Sequence, residues 1–322
     1  MTDWTIRPAT VADREAVVTL LREAHGSDVR TNEEWDWLFR GRLSHYAVAD
    51  TGHGLAGQYA LLPQRVVHRG VERGALMSLD TATHPDYMRR GLMRLLGETA
   101  YAPPGAELIY GFPNSTSAPG LYRKLGWTEI EPFPLYLRPL RSLLPALVRG
   151  APRLPGRRRQ PRGAEITDRF ASWADELWRE RLPTIGTGVV RDSAYLNWRY
   201  ADAPYEYRIF VTAGRDGFAV VRIVPWRHGR LAYLMDAAGA AGPALDAAIA
   251  YADAGRAAAL VALITPRDPL AADLRERGFR RAPARARAPF SFGVRATGEL
   301  AAHAELFTLP EWHLTAGDFD HV

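Results

Sequence analysis

Residues 84–94 read His84-Pro85-Asp86-Tyr87-Met88-Arg89-Arg90-Gly91-Leu92-Met93-Arg94, and the change of pattern across them decides the fold. A strand-like run over residues 73–83 is closed by Pro85, and Leu92, Leu95, Leu96, Thr99 and Ala100 then repeat at helical spacing. The turn between them opens a helix, where backbone N–H groups lack intrahelical partners and the dipole is positive. Gly91 lets the main chain come close to an anion, and Arg89, Arg90 and Arg94 supply charge, so the turn suits a pyrophosphate. An ordinary strand-to-helix connection edged with solvated arginines reads the same way, so the surroundings must choose.

Downstream, residues 107–112 read as a strand that leads into Gly111-Phe112-Pro113-Asn114. A helix over 119–125 follows within Ala118-Pro119-Gly120-Leu121-Tyr122-Arg123-Lys124-Leu125-Gly126-Trp127, and then a broken strand over 127–137. Upstream, a short strand at 4–8 precedes a helix at 13–25, whose apolar face is Ala16, Val17, Leu20, Leu21 and Ala24, and a helix at about 32–39. Strands at 45–49, 55–68 and 73–83, parted by glycine-containing turns, form an antiparallel meander. The order is βααβββαβαβ.

On these residues the chain resembles the GNAT superfamily of acyl-CoA-dependent N-acyltransferases. In that family a pyrophosphate loop follows a His-Pro-like strand end, and a later helix ends in a Leu-Tyr-x-Lys-Leu-Gly-aromatic signature; residues 4–138 follow its order of elements. The resemblance implies an α/β fold with a mixed, mostly antiparallel sheet flanked by helices. It also implies acetyl-CoA as co-substrate, with pantetheine lying where the strand of residues 79–83 splays from that of 107–112. The cofactor contacts it implies are Leu79, Thr81, Ala82, Thr83, Met88, Arg89, Arg90, Gly91, Leu92, Met93, Arg94, Asn114 and Tyr122. The family's loop pattern, Gln/Arg-x-x-Gly-x-Gly/Ala, falls on residues 88–93 and departs at Met88 and at Met93, where a small residue is usual and a large one crowds the helix start.

Tyr122 matches the tyrosine that in many family members protonates the leaving thiolate. A phenol with pKa about 10 can donate to a thiolate whose own pKa is about 8.5, given hydrogen-bond reach; the competing reading is a core or groove tyrosine. The base is less marked. Asp80 is the leading candidate because aspartate is depleted in strands, and alternation puts it with Ala82 and His84 opposite Leu79, Thr81 and Thr83. A structural bond from Asp80 to an adjacent loop is the equal alternative, and His84, Glu129 and the acidic tail Asp318-Phe319-Asp320-His321 are weaker candidates. Trp35, Trp37, Phe39, Tyr59 and the aromatic run 133–136 are read either as core or as lining for an acceptor pocket.

The chain of 322 residues, 47% hydrophobic, is long enough for two domains. The segment 149–164, RGAPRLPGRRRQPRGA, holds prolines, glycines and all of the basic excess behind the net charge of +5, so it reads as a linker rather than a nucleic-acid surface. It divides a catalytic domain at 1–148 from a second at 165–322. No stretch approaches the ~18 apolar residues of a membrane span, and the start of the chain lacks the look of a signal peptide, so a cytoplasmic protein without membrane partners is expected. With no cysteine, and nine histidines lacking HExxH-type spacing, no metal or redox role is expected.

The second half repeats the first. Trp35-Asp36-Trp37-Leu38-Phe39 resembles Leu196-Asn197-Trp198-Arg199-Tyr200, and the segment ending Leu125-Gly126-Trp127 resembles Arg277-Gly278-Phe279, with Leu274 opposite Tyr122. In place of the basic turn stand residues 234–243, LMDAAGAAGP, where Asp236 is expected to repel a phosphate. A tandem GNAT arrangement with a degenerate second copy and one active site per chain is expected, with the tail from Pro310 packed down. The function implied is N-acetyl transfer from acetyl-CoA to a small-molecule amine. Fem-type aminoacyl transfer and a non-catalytic acyl-CoA-binding module are the alternatives, and oligomeric state is not legible.

Overall fold

The computed structural model describes residues 3–26, 29–114, 117–130, 134–143, 163–226, 229–265, 267–282 and 291–319. The linker expected at 149–164 lies outside them up to residue 162, as do Phe133 and residues 320–322.

Local chemistry sets the first elements. Strand β1 (Thr5–Pro8) leads to helix α1 (Arg14–His25), which buries Val17, Val18, Leu20 and Leu21. Thr31 caps α2 (Asn32–Phe39): its hydroxyl accepts from the Glu34 N–H, and Glu34 takes the Thr31 N–H at 2.6 Å. This reciprocal box satisfies two orphan donors and fixes the helix start. Strands β2 (Tyr46–Asp50), β3 (Leu55–His68) and β4 (Val71–Thr83) form the meander. Helix α3 (Leu92–Tyr101), strand β5 (Leu108–Gly111), helix α4 (Ala118–Lys124) and strand β6 (Thr128–Ile130) follow. Trp35, Phe39 and Tyr59 are wholly buried, so these aromatics are core and not acceptor lining.

The chain forms two compact units, and each takes a strand from the other half of the sequence. The first comprises Met1–Val66, Glu72–Pro132 and Pro289–Thr308. Its sheet runs β1-β2-β3-β4-β5-β15-β6, with β15 (Phe292–Ala296) antiparallel both to β5, Gly293 facing Gly111, and to β6, Phe292 facing Ile130. The second unit holds Val67–Val71, Phe133–Ala288 and Leu309–Val322. There β7 (Leu135–Pro139) lies between β13 (Ala259–Leu263) and β14 (Arg280–Arg281). The sheets are therefore not built along the expected division into 1–148 and 165–322. The strand at 127–137 is broken because its two pieces serve different sheets.

The second unit repeats the order of the first. Its 7-stranded sheet runs β14-β7-β13-β12-β11-β10-β8, built on β8 (Ala164–Thr167), β10 (Tyr207–Thr212), β11 (Gly217–Trp226) and β12 (Gly229–Gly239). Helices α5 (Ser172–Arg181), α6 (Ser193–Leu196), α7 (Gly242–Ala254) and α8 (Leu270–Glu276) occupy the places of α1 to α4 in the order, and a short strand, β9 (Thr187–Val189), falls between α5 and α6. The β4–β5 and β12–β13 pairs run parallel, giving in each unit a mixed, mostly antiparallel sheet flanked by helices. The tail is packed as far as residue 319: Trp312, Leu314, Asp318 and Phe319 are buried.

Candidate functional site

Strands β4 and β5 pair only where Leu76, Met77 and Ser78 face Ile109, Tyr110 and Gly111. β4 runs on to Thr83 without a β5 partner, which leaves one backbone edge open. The cause is local. Asp80 has φ of +49°, a left-handed conformation in mid-strand that costs on the order of 1–3 kcal/mol. Arg30 holds it there, donating from Nε and Nη2 to the carboxylate at 2.9 and 2.7 Å, while Gln58 Nε2 donates to the Asp80 carbonyl at 2.6 Å. Leu79 and Asp80 are both buried, as Ala75, Leu76 and Met77 are, so β4 is covered on both faces.

A cavity of about 400 Å³ opens beside the freed edge, and Thr81, Ala82 and Thr83 form one wall. The basic turn forms a second wall. Gly91 caps α3 with φ of +78°, and the N–H groups of Arg94 and Leu95 both return to its carbonyl, so those of Leu92 and Met93 precede the helix's own bonding. Arg89, also left-handed at φ +63°, makes no ion pair among the described residues, and Arg94 bonds the exposed Glu98 at 3.1 Å. Two cations and a helix start thus border one opening, the requirement for holding phosphate.

Met93 is accommodated by α4. A Cβ at Gly120 would lie 2.7 Å from the Met93 sulfur, so the missing side chain there makes room for the large residue where a small one is usual. Asn114, Ser117, Gly120 and Lys124 complete the cavity from the α4 side, and Ala24 and His25 from the end of α1.

Ten of the expected contacts line this cavity: Thr81, Ala82, Thr83, Met88, Arg89, Gly91, Leu92, Met93, Arg94 and Asn114. Leu79 is buried in the sheet instead. Arg90 turns away to Asp3 at 3.1 Å and lies over the rings of Trp4 and Tyr87. Tyr122 is not a lining residue either: its hydroxyl meets Ser291 Oγ at 2.6 Å. Its ring rests on Gly293, where a Cβ would come within 2.9 Å of it. Burial pushes the Tyr122 phenol up, with the Ser291 bond acting in the opposite sense. Lys124 was readable from the quoted motif, one helical turn after Gly120; Ser291, far away in sequence, was not, and neither was His25.

Asp80 is committed to Arg30, with side chains 0% and 1% exposed, and this does not suit it for accepting a substrate proton. The second unit supplies a control, because Arg191 donates to Asp236 at 2.7 Å in the same structural context, an arginine before the second helix paired with an aspartate late in the fourth strand. The pair persists where the basic turn is absent, so it belongs to the fold. Asp236 is itself buried, and this corrects its expected role of repelling phosphate. Beside it a cavity of about 260 Å³ is lined by Ala237, Ala238 and Gly239. Arg181 occupies its edge, donating to Ala237 O at 3.2 Å and to Asp268 at 2.8 Å. Leu274, in the place of Tyr122, is wholly buried.

Residues 5–130 match the family model described as an acetyltransferase (GNAT) domain. No curated protein matches the chain in sequence. Among solved structures, a GCN5-related N-acetyltransferase from Anabaena variabilis is similar at 14% identity and TM-score 0.65, covering 91% of this chain and 72% of that one. The corresponding protein from Kribbella flavida matches at 15% identity and TM-score 0.59, with coverage of 91% and 71%. The N-myristoyltransferase of Saccharomyces cerevisiae, solved with bound myristoyl-CoA, matches at 12% identity and TM-score 0.62, with coverage of 92% and 84%. At these identities the structures show the fold, and the match of residues 5–130 to the GNAT acetyltransferase domain model falls on the unit that holds the cavity.

Proposed function

We propose that the first unit binds acetyl-CoA and passes its acetyl group to the amine of a small molecule by direct attack in a ternary complex. The observation that carries this is the convergence, in one cavity, of the open 81–83 backbone edge with the Gly91 helix start and Arg89. An extended amide-bearing arm can pair with the strand edge while its diphosphate meets the turn. The yeast enzyme solved with myristoyl-CoA shares the fold, which supports an acyl-CoA in this role. The second unit has a smaller cavity and no basic turn, so the reading assigns one site to each chain.

In the reaction the amine nitrogen bonds to the thioester carbonyl carbon, the C–S bond breaks, and the sulfur leaves as thiolate to be protonated. Tyr122 is the proposed proton donor. It is kept protonated by burial, and to act it must exchange Ser291 for the sulfur.

Among the described residues no helix is long and apolar enough to cross a membrane. With the basic excess confined to the linker, the reading favours a small acceptor over a nucleic acid.

The test is thiol release from acetyl-CoA with a panel of amines, read with a thiol-reactive dye; the protein has no cysteine and adds no background. Release is expected for at least one amine, and Tyr122→Phe should lower kcat roughly 10²-fold while acetyl-CoA still binds. Full turnover by that variant removes Tyr122 from the reaction, and binding without release on any amine favours a non-catalytic module. Transfer only from an aminoacyl-tRNA favours the Fem-type reading.

A further inference from the structure

We infer that His25 is the general base that takes the proton from the acceptor amine, an assignment that rests on the acyl-transfer reading above. An alkylammonium has pKa about 10 and is mostly protonated at neutral pH, so attack on a thioester needs a group that can remove its proton. The carboxylate suggested by sequence, Asp80, is bonded to Arg30 and buried. His84 accepts the Asp86 N–H on Nδ1 at 3.2 Å, lies 3.5 Å from Glu23 through Nε2, and does not line the cavity. Glu129 is on the exposed side of β6 and is also absent from the cavity wall.

His25 is the imidazole among the residues that line the cavity, and an imidazole nitrogen can accept a proton. It ends α1, and its Nε2 lies 3.3 Å from Thr81 O, on the strand edge with which the reading above pairs the extended arm of the acyl-CoA. Donation from Nε2–H to that carbonyl leaves Nδ1 as the basic nitrogen. The C-terminal end of a helix dipole favours a cation, so α1 stabilises the imidazolium formed when the proton arrives. Arg89, Arg94 and Lys124 line the same cavity and act in the opposite sense. His25 is exposed, and this gives the imidazolium a way to release its proton to water. In balance, Nδ1 takes one proton from the ammonium, the neutral amine forms the C–N bond as the C–S bond breaks, Tyr122 supplies the thiolate proton, and the second proton shed by the nitrogen as the amide forms restores the Tyr122 phenol.

The experiment compares wild type, His25→Gln and His25→Ala in the thiol-release assay across pH, with acetyl-CoA affinity measured on each. The expected result is a roughly 10²-fold loss of kcat at neutral pH for both variants with affinity retained. The rate should then climb with pH as the free amine itself appears, and added imidazole should partly restore His25→Ala. Wild-type-like kcat and pH profile in His25→Gln would overturn the assignment of His25 while leaving acyl transfer intact. Absence of thiol release by the wild type with every amine would overturn the acyl-transfer reading, and the role of His25 with it.

Discussion

Residues 1–148 expressed alone should fail to give a soluble, acetyl-CoA-binding domain, although they contain every residue that lines the cavity. The missing piece is β15. Strand β6 takes its ladder from β15 alone among the described residues, and β5 has β15 on the side away from β4. Without it the fragment exposes two unpaired strand edges, a template for aggregation. It also loses Phe292 and Val294, both wholly buried, at about 1.5–3 kcal/mol each against a total stability of about 5–15 kcal/mol. The seat of Tyr122 on Ser291 and Gly293 goes with them. A chain in which residues 1–132 are joined through a polar linker to 289–308 should recover solubility. Size-exclusion chromatography and circular dichroism read the result. A monomeric, folded 1–148 fragment with the affinity of the full chain would show that β15 is dispensable.

Asp80→Ala should destabilise the protein by about 3–5 kcal/mol, because it strands the Arg30 guanidinium in a site where its side chain is 1% exposed. The loss should be accompanied by weakened acetyl-CoA binding in the protein that remains folded, since the left-handed turn at Asp80 directly precedes Thr81, Ala82 and Thr83, which line the cavity. Asp236→Ala in the second unit removes the corresponding partner of Arg191, and a second carboxylate, Asp318 at 2.6 Å, remains to that arginine. The second substitution should therefore destabilise less and leave acetyl-CoA affinity unchanged. Denaturant titration and calorimetry separate the two effects. A full-affinity, wild-type-stable Asp80→Ala would contradict the role given to the pair.

What the sequence made legible was whatever is written locally. The bounds of α2 follow from Thr31 and Glu34, whose reciprocal cap fixes the helix start, and the His84 to Arg94 turn announces the helix-start geometry that Gly91 adopts. Aspartate in a strand at position 80 signalled something unusual, but its partner lies 50 residues earlier, and no local pattern names a base or an ion pair. The recurrence of Val-Arg at 29–30 and 190–191, each matched by a later aspartate, was available as a hint that both copies need the pair. The strand exchange was hidden more deeply. Residues 135–139 and 292–296 read as strands of no particular sheet, because a short strand's register is set by the edge it meets and not by its own composition. His25 carries no motif and became a candidate once β4 was seen to run past it.

The most direct measurement is calorimetric titration of acetyl-CoA into the 322-residue chain. A single site per chain is expected, lost on Arg89→Glu, which places a carboxylate at the mouth of the basic turn and leaves the buried core untouched. No binding, two molecules per chain, or binding indifferent to Arg89→Glu would contradict it.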